Sequence, residues 1–201
     1  SIMKRLLSAL VIFLITTVSI NSFAYNTDPK LFVEELVDDA IKTLSNKSIS
    51  KADKNKKIEE IALANVDIDA LGMYTLGDVR KTLDENNLKK YKTLFEKYFL
   101  KSLTSRLTDY SSQKFEVLSA DQKSDNYNIV SSRIVESASQ PEIKIDWRIY
   151  TKDPSKPLIR DLIVEGLSLA KTQKEEFASI LNSNNNDINI LFSKLEEFIN
   201  N

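Results

Sequence analysis

Apolar residues recur every three to four positions in several stretches of the chain and every second position in another, and the two periods separate predicted helices from predicted strands. Asp28 followed by Pro29 reads as a helix cap and first turn, and Phe32, Leu36, Val37, Ala40, Ile41 and Leu44 then keep helical spacing. Ser45 to Lys57 is polar and lysine-rich, and reads as a solvated connection merging into a short helix through Ile58, Ile61 and Ala62. Asp67 is the expected cap of another short helix through Leu71 and Tyr74. From Asp84 onward, Leu88, Tyr91, Leu94, Phe95, Tyr98, Phe99, Leu103 and Leu107 mark a helix of roughly 25 residues with a broad apolar stripe.

After Tyr110 the period changes to two. In "EIKIDWRIY", Ile143, Ile145, Trp147 and Ile149 alternate with Lys144, Asp146, Arg148 and Tyr150, which gives a strand one apolar face and one wet face. "KFEVLSA", "NYNIVSSRIVES" and "PLIRDLIVEGLS" are neighbouring strand candidates, the last containing Val164, Gly166 and Leu167. The turn-prone links "DQKSDN", "ASQP" and "KDPSKP" are short, which favours an antiparallel meander over parallel pairing. Thr172 and Glu175 have capping-box spacing before a helix that buries Phe177, Ile180 and Leu181. A last amphipathic helix carries Ile188, Leu191, Phe192, Leu195, Phe198 and Ile199. Helices, then strands, then helices predict an α+β domain: an antiparallel sheet of four or more strands against a layer of helices, one sheet face meeting the long aromatic helix.

The first residues change the picture of where the chain works. Lys4 and Arg5 precede the apolar run Leu6 to Ile15, and "NSFA" ends at Ala24 with Ser22 and Ala24 at the small-residue positions. This predicts a secretory signal peptide over residues 1–24 and a single domain over 25–201. The apolar run falls short of the ~20 residues that span a bilayer. Cleavage after Ala24 removes two basic residues and no acidic one, so the mature chain is mildly acidic. A near-neutral surface without a basic cluster argues against a nucleic-acid partner. Without cysteine, an exported chain relies on its core alone, which fits a bacterial periplasm.

Composition also narrows the chemistry. With no histidine and no cysteine, Ser-His-Asp and Cys-His sites and the usual zinc sites are excluded. The three glycines, Gly72, Gly77 and Gly166, cannot form a phosphate-cradling loop. "DIDALGMYTLGD" places Asp67, Asp69, Gly72 and Asp78 at calcium-loop positions, but Leu71 stands where a ligand is needed and Asp78 is too short for the bidentate position. Asp161 and Glu165 share a strand side about 13 Å apart, too far for paired-carboxylate hydrolysis, and read as strand-end groups holding backbone. No metal, no cofactor and no catalytic residue are expected. The aromatic and aliphatic residues of the long helix and of the Trp147 strand suit either an ordinary core or a lipid pocket.

Three blocks carry a resemblance. "VDIDALGMYTLGDVRK", followed by "LKKYKTLFEKYFLKSL", has an Asp-started helix, a Leu-Gly pair at Leu76 and Gly77, and an aromatic stripe at Tyr91, Phe95 and Tyr98. "IDWRIY" supplies a Trp-Arg strand, and "RDLIVEGLSLAKTQKEEFASIL" an Asp, then Val-Glu-Gly and a Phe-Ala-x-Ile helix. In that order behind a signal peptide, they resemble the MlaC or toluene-tolerance family, periplasmic phospholipid-binding partners of an ABC transporter in Gram-negative bacteria. The chain departs from the family pattern in "DVRK" after Gly77. It also replaces a glycine-rich turn with "NSNNNDIN", where asparagine tolerates left-handed backbone.

The resemblance implies a monomeric carrier with a bound glycerophospholipid as cargo, the acyl tails held between sheet and helices. It would shuttle between an inner-membrane ABC transporter complex and an outer-membrane lipoprotein complex and help maintain outer-membrane lipid asymmetry. Compatible walls are Leu94, Phe95, Tyr98, Phe99 and Leu103 on the long helix and Ile143, Ile145, Trp147 and Ile149 on the sheet. Tyr74, Val164, Leu167 and Phe177 extend them. Gly166 is expected to end or bulge the last strand and form a wall beside the lipid. The alternative is a periplasmic protein-interaction adaptor without bound lipid.

Overall fold

The computed structural model describes residues 24–107 and 113–201. The expected targeting segment, apart from Ala24, and Tyr110 lie outside the described residues.

Helix α1, Pro29–Ser45, starts where the sequence places it: the Asp28 carboxylate accepts from the Leu31 N–H, and Pro29 occupies the first turn. Helix α2, Lys51–Asn65, begins well inside the stretch expected to be a connection, because Ser50 caps it by accepting from the Asp53 N–H. Its lysines tie it to α1: Lys54 Nζ donates to the Leu44 carbonyl at 2.9 Å and Lys57 Nζ to Asp39 at 3.0 Å. A lysine-rich helix turn and a lysine-rich loop look alike until such partners are visible.

Asp67 caps helix α3, Ile68–Leu76, by accepting from the Ala70 N–H, so the calcium-loop spacing is helix instead. Its second carboxylate oxygen takes Arg160 Nη2 at 2.9 Å. A 3-10 turn, Gly77–Lys81, leads to helix α4, Glu85–Leu107, whose first turn is held by Asp84 accepting from the Asn87 N–H.

Strands β1 (Phe115–Ser124), β2 (Tyr127–Ile134), β3 (Ile143–Tyr150), β4 (Leu158–Val164) and β5 (Leu167–Ser168) form an antiparallel meander in sequence order. Val130 pairs with Trp147 and Trp147 with Leu162, so these three side chains share a face. Helices α5 (Leu169–Asn182) and α6 (Ile188–Asn200) complete the described chain. Asn185 and Asn186 adopt φ of 55° and 58° between them, so asparagine does replace glycine at that turn.

Helix α5 starts earlier than the Thr172–Glu175 spacing suggests. Ser168 is the cap, accepting from the Lys171 N–H, and Thr172 lies inside the helix with its hydroxyl on the Ser168 carbonyl. Asp161 reinforces this start by accepting from the Ser168 hydroxyl and from the Ala170 N–H.

Two apolar clusters divide the interior. One joins α3, α4, α5 and α6 through Tyr91, Phe95, Phe177, Leu181, Phe192 and Leu195. The other joins α1 and α2 to the sheet through Phe32, Val33, Ile58, Trp147, Ile149 and Ile159. The sheet therefore meets α1 over β1 and β2 and α3 and α5 at β4, rather than the length of the long aromatic helix. At ~1.5 Å per residue α4 is about 35 Å long, and only Leu103 and Leu107 at its end reach the sheet cluster. An apolar stripe requires a partner without naming it; here the stripe is covered by α6, whose Leu191, Phe192 and Leu195 form an equally apolar face.

Candidate functional site

Of the expected helical wall, Phe95 is buried in a packed core, while Leu94, Tyr98 and Phe99 are half-buried at its border. Phe95 is 3% exposed; its ring stacks on Tyr91 with centroids 5.8 Å apart and meets Phe177 edge-on at 6.5 Å. A Cβ on Gly72 would lie 2.8 Å from Phe95 Cδ1, so α3 approaches α4 this closely only because position 72 is glycine. The Tyr91 hydroxyl shares a 2.9 Å hydrogen bond with Thr75 Oγ1. Burial pushes Tyr91 above the usual phenol range, the Thr75 bond acting in the opposite sense. Tyr98 donates to Gln173 Oε1 at 3.0 Å and packs on Phe198 with centroids 4.9 Å apart. Leu94 and Phe99 pack against the same cluster. These residues pack on one another and on Phe177 of α5 and Phe198 of α6.

Tyr74 is 43% exposed beneath Lys174, whose Nζ lies 5.0 Å from the ring centroid. Gly166 and Leu167 also lie outside the interior. Glu165 and Gly166, with φ of 50° and 79°, are the two central residues of a tight hairpin between Val164 and Leu167. A Cβ at Gly166 meets nothing within 4 Å, and Leu167 is 58% exposed. Gly166 is thus needed for left-handed backbone rather than for close approach. Asp161 and Glu165 hold backbone as the sequence reading expected: Asp161 takes the Ala170 N–H at 3.0 Å and Glu165 Oε1 the Lys144 N–H at 2.6 Å.

The sheet wall has a different character. Ile143, Ile145, Trp147 and Ile149 point to the helix-covered face, with Val164 opposite Ile145. Trp147 Nε1 donates to Ser132 Oγ at 2.9 Å, and Ser132 donates to the Ile145 carbonyl at 2.6 Å, so the one polar atom of the indole is satisfied inside the apolar layer. Trp147 and Ile149 are buried, but Ile143, Ile145, Leu162, Val164, Phe115 and Leu103 are only half-buried. Phe115 meets Trp147 edge-on at 6.3 Å and carries this layer to the edge strand.

At that edge a groove of about 510 Å³ opens between α1 and β1. Val37, Ile41, Phe115 and Val117 supply its apolar side chains, and Glu34, Glu35, Asp38 and Glu116 its carboxylates. Sequence reasoning saw Val37 and Ile41 as part of a helical stripe and "KFEV" as strand, but not that the two would meet. Tyr25 donates to Asp39 Oδ2 at 2.6 Å and packs edge-on against Phe32. Burial alone would raise the Asp39 carboxyl, but the Tyr25 and Lys57 hydrogen bonds hold it below the usual carboxylate range.

Among the described residues, no group of three or more acidic side chains has a geometry that would hold a metal ion, and no helix is long and apolar enough to cross a membrane.

A family model described as MlaC protein matches residues 34–197. No curated protein matches. Among solved structures, the fold is similar to that of a phospholipid-binding protein from Ralstonia solanacearum determined in complex with a phospholipid. The TM-score is 0.68 at 17% sequence identity, covering 83% of this chain and 94% of the other.

Proposed function

The chain belongs to the MlaC family, and from that premise we propose that it is a phospholipid carrier whose acyl-chain site is the sheet-side apolar layer under α1. The observation that carries this reading is the groove between α1 and β1, whose side chains Phe115 and Val117 continue through Trp147 into a half-covered sheet face. A fold shared with a phospholipid-binding protein supports the same reading.

The acyl-chain site then differs in composition from the walls expected from sequence. Ile143, Ile145, Trp147, Ile149, Val164 and Leu103 remain candidates for lining it; Leu94, Phe95, Tyr98, Phe99 and Phe177 form the scaffold behind it. The role is binding rather than catalysis, and the carrier works in the periplasm after removal of its targeting segment. Two tails of ~15 methylenes at ~0.8 kcal/mol each represent a gross ~24 kcal/mol, above the ~18–21 kcal/mol ceiling of non-covalent affinity. Ordering and opening the protein must offset part of that, and unassisted release into water is slow. Transfer therefore proceeds by docking, with an inner-membrane ABC transporter complex and an outer-membrane lipoprotein complex as the partners that open the site.

Organic extraction and mass spectrometry of freshly purified protein test the reading: a phospholipid at near-stoichiometric amount is expected. Consistent absence of phospholipid would favour a protein-interaction adaptor instead.

A further inference from the structure

Cover on the apolar face of the sheet increases from one end of the strands to the other. Along β3, Ile143 and Ile145 are half-buried, whereas Trp147 and Ile149 are 9% and 0% exposed. The neighbouring strands repeat the step in register: Val164 and Leu162 of β4 are half-buried and Ile159 is buried, while Ile134 of β2 is half-buried and Val130 is buried. The face is thus open at the Ile143 end and closed at the Ile149 end, and Trp147 is the first buried side chain on β3. Its indole is also anchored. Nε1 donates to Ser132 Oγ, Ser132 donates to the Ile145 carbonyl, and the ring meets Phe115 edge-on. Ser132 pairs with Ile145 and Phe115 with Ile134, both rows nearer the open end than the row of Trp147, so the indole leans from β3 across β2 towards that end. Ser132 is 2% exposed, and a hydroxyl buried in an apolar layer is costly unless paired, so serine and indole hold as a unit with one orientation.

From this placement we propose that Trp147 is the inner end wall of the acyl site and limits the acyl-chain length accepted, and that Ser132 is a positioning residue acting through it. This deepens the carrier reading and rests on it; it adds the direction in which a tail enters and the residue that decides which tails fit. A tail passing Ile143 has about 13 Å of strand, four residues at ~3.3 Å each, before it meets the indole. Methylenes beyond that reach stay in water or displace an anchored ring, and in either case they gain none of the burial that holds the rest of the tail. Length is therefore selected at the methyl end of the chain.

The chain holds one tryptophan, so its fluorescence reports on this wall directly. Delipidated protein is loaded from vesicles of phosphatidylglycerol whose acyl chains carry bromine near the methyl end or near the carbonyl end, and bound lipid is quantified by mass spectrometry. Bromine quenches indole emission at close contact. Quenching several-fold stronger from the methyl-end label is expected, and Ser132→Ala should lose most of that contrast while circular dichroism and its unfolding midpoint show that it folds. From vesicles of equimolar phosphatidylglycerols of graded saturated chain length, the parent should take up chains beyond its limit about tenfold less than the best-fitting one, and Trp147→Phe should move the limit to longer chains. Absent quenching by bound lipid, equal quenching from the two labels, stronger quenching from the carbonyl-end label, a contrast that survives Ser132→Ala, or an unchanged length limit in folded Trp147→Phe would each overturn the proposal while leaving the carrier reading intact. The quenching comparison in the parent protein decides the proposal even where a variant fails to fold. Failure of the parent protein to take up any of these lipids would overturn both readings.

Discussion

The α4 cluster and the sheet-side cluster are built from the same residue types, each with a buried centre and a half-buried border, and they differ in what that border meets. Around Phe95 the aromatic rings stack on one another, a glycine admits the closest contact, and both tyrosine hydroxyls have partners inside the protein. Under α1 the sheet keeps Trp147 and Ile149 buried but leaves a border of half-covered aliphatic residues that runs to a groove at the edge strand. The difference comes from what covers each surface. Helix α4 is enclosed by three helices, two of them strongly amphipathic, whereas the sheet is covered in pieces, by α1 over β1 and β2 and by α3 and α5 at β4. Apolar composition therefore does not distinguish a scaffold from a binding wall; the ratio of covering to covered surface does.

The largest expected effect tests the scaffold side of this contrast. Phe95→Ala should cost about 3–5 kcal/mol in denaturant unfolding, because the ring is fully enclosed, whereas Leu162→Ala on the half-buried sheet border should cost about 1–2 kcal/mol. Equal losses at the two sites would break the comparison. Gly166→Val should cost about 1–2 kcal/mol by forcing a β-branched residue into left-handed backbone at the hairpin. It should leave extracted phospholipid unchanged, since that turn lies outside both clusters; a variant of wild-type stability, or one that loses its lipid, would contradict this assignment.

The smallest effect concerns how α1 is held over the sheet. The Asp39 carboxyl titrates below its unfolded-state value, so the Tyr25–Asp39–Lys57 tie contributes stability above about pH 4 and loses it as pH falls through the folded-state value. Because the group is only partly buried and its pair with Lys57 stays open to solvent, Asp39→Asn should lower stability at neutral pH by less than ~1 kcal/mol. It should also flatten the acid limb of the stability profile, as followed by urea unfolding at several pH values. Hydrogen exchange should place the protection lost in Asp39→Asn on α1 and leave α4 unaffected.

Much of the fold was legible along the chain because it depends on local rules. Asp28, Asp67 and Asp84 announce helix starts through side chains that accept nearby N–H groups. The period-two row from Ile143 to Ile149 announces a strand, and the short links between strands announce a meander. Two local readings failed where a distant partner intervened. Helix α2 starts at Ser50 amid lysines that reach back to α1, and α5 starts at Ser168 where Asp161, on another strand, supports the cap.

The candidate site was legible only in part. Ile145 and Trp147 were correctly assigned to the helix-covered sheet face, but the stripe at Phe95 and Tyr98 was paired with the wrong surface. Nor could the groove be anticipated, since Val37 and Phe115 lie far apart in sequence. By itself the sequence determined which segments are helix or strand, which face of each is apolar, and, through its lack of histidine and cysteine, which chemistries are excluded. Tertiary structure alone decided which apolar face covers which and where cover runs out. Periodicity records that a side chain leaves water, while the surface it leaves water for is set by helix lengths, crossing positions and strand register that no single segment contains.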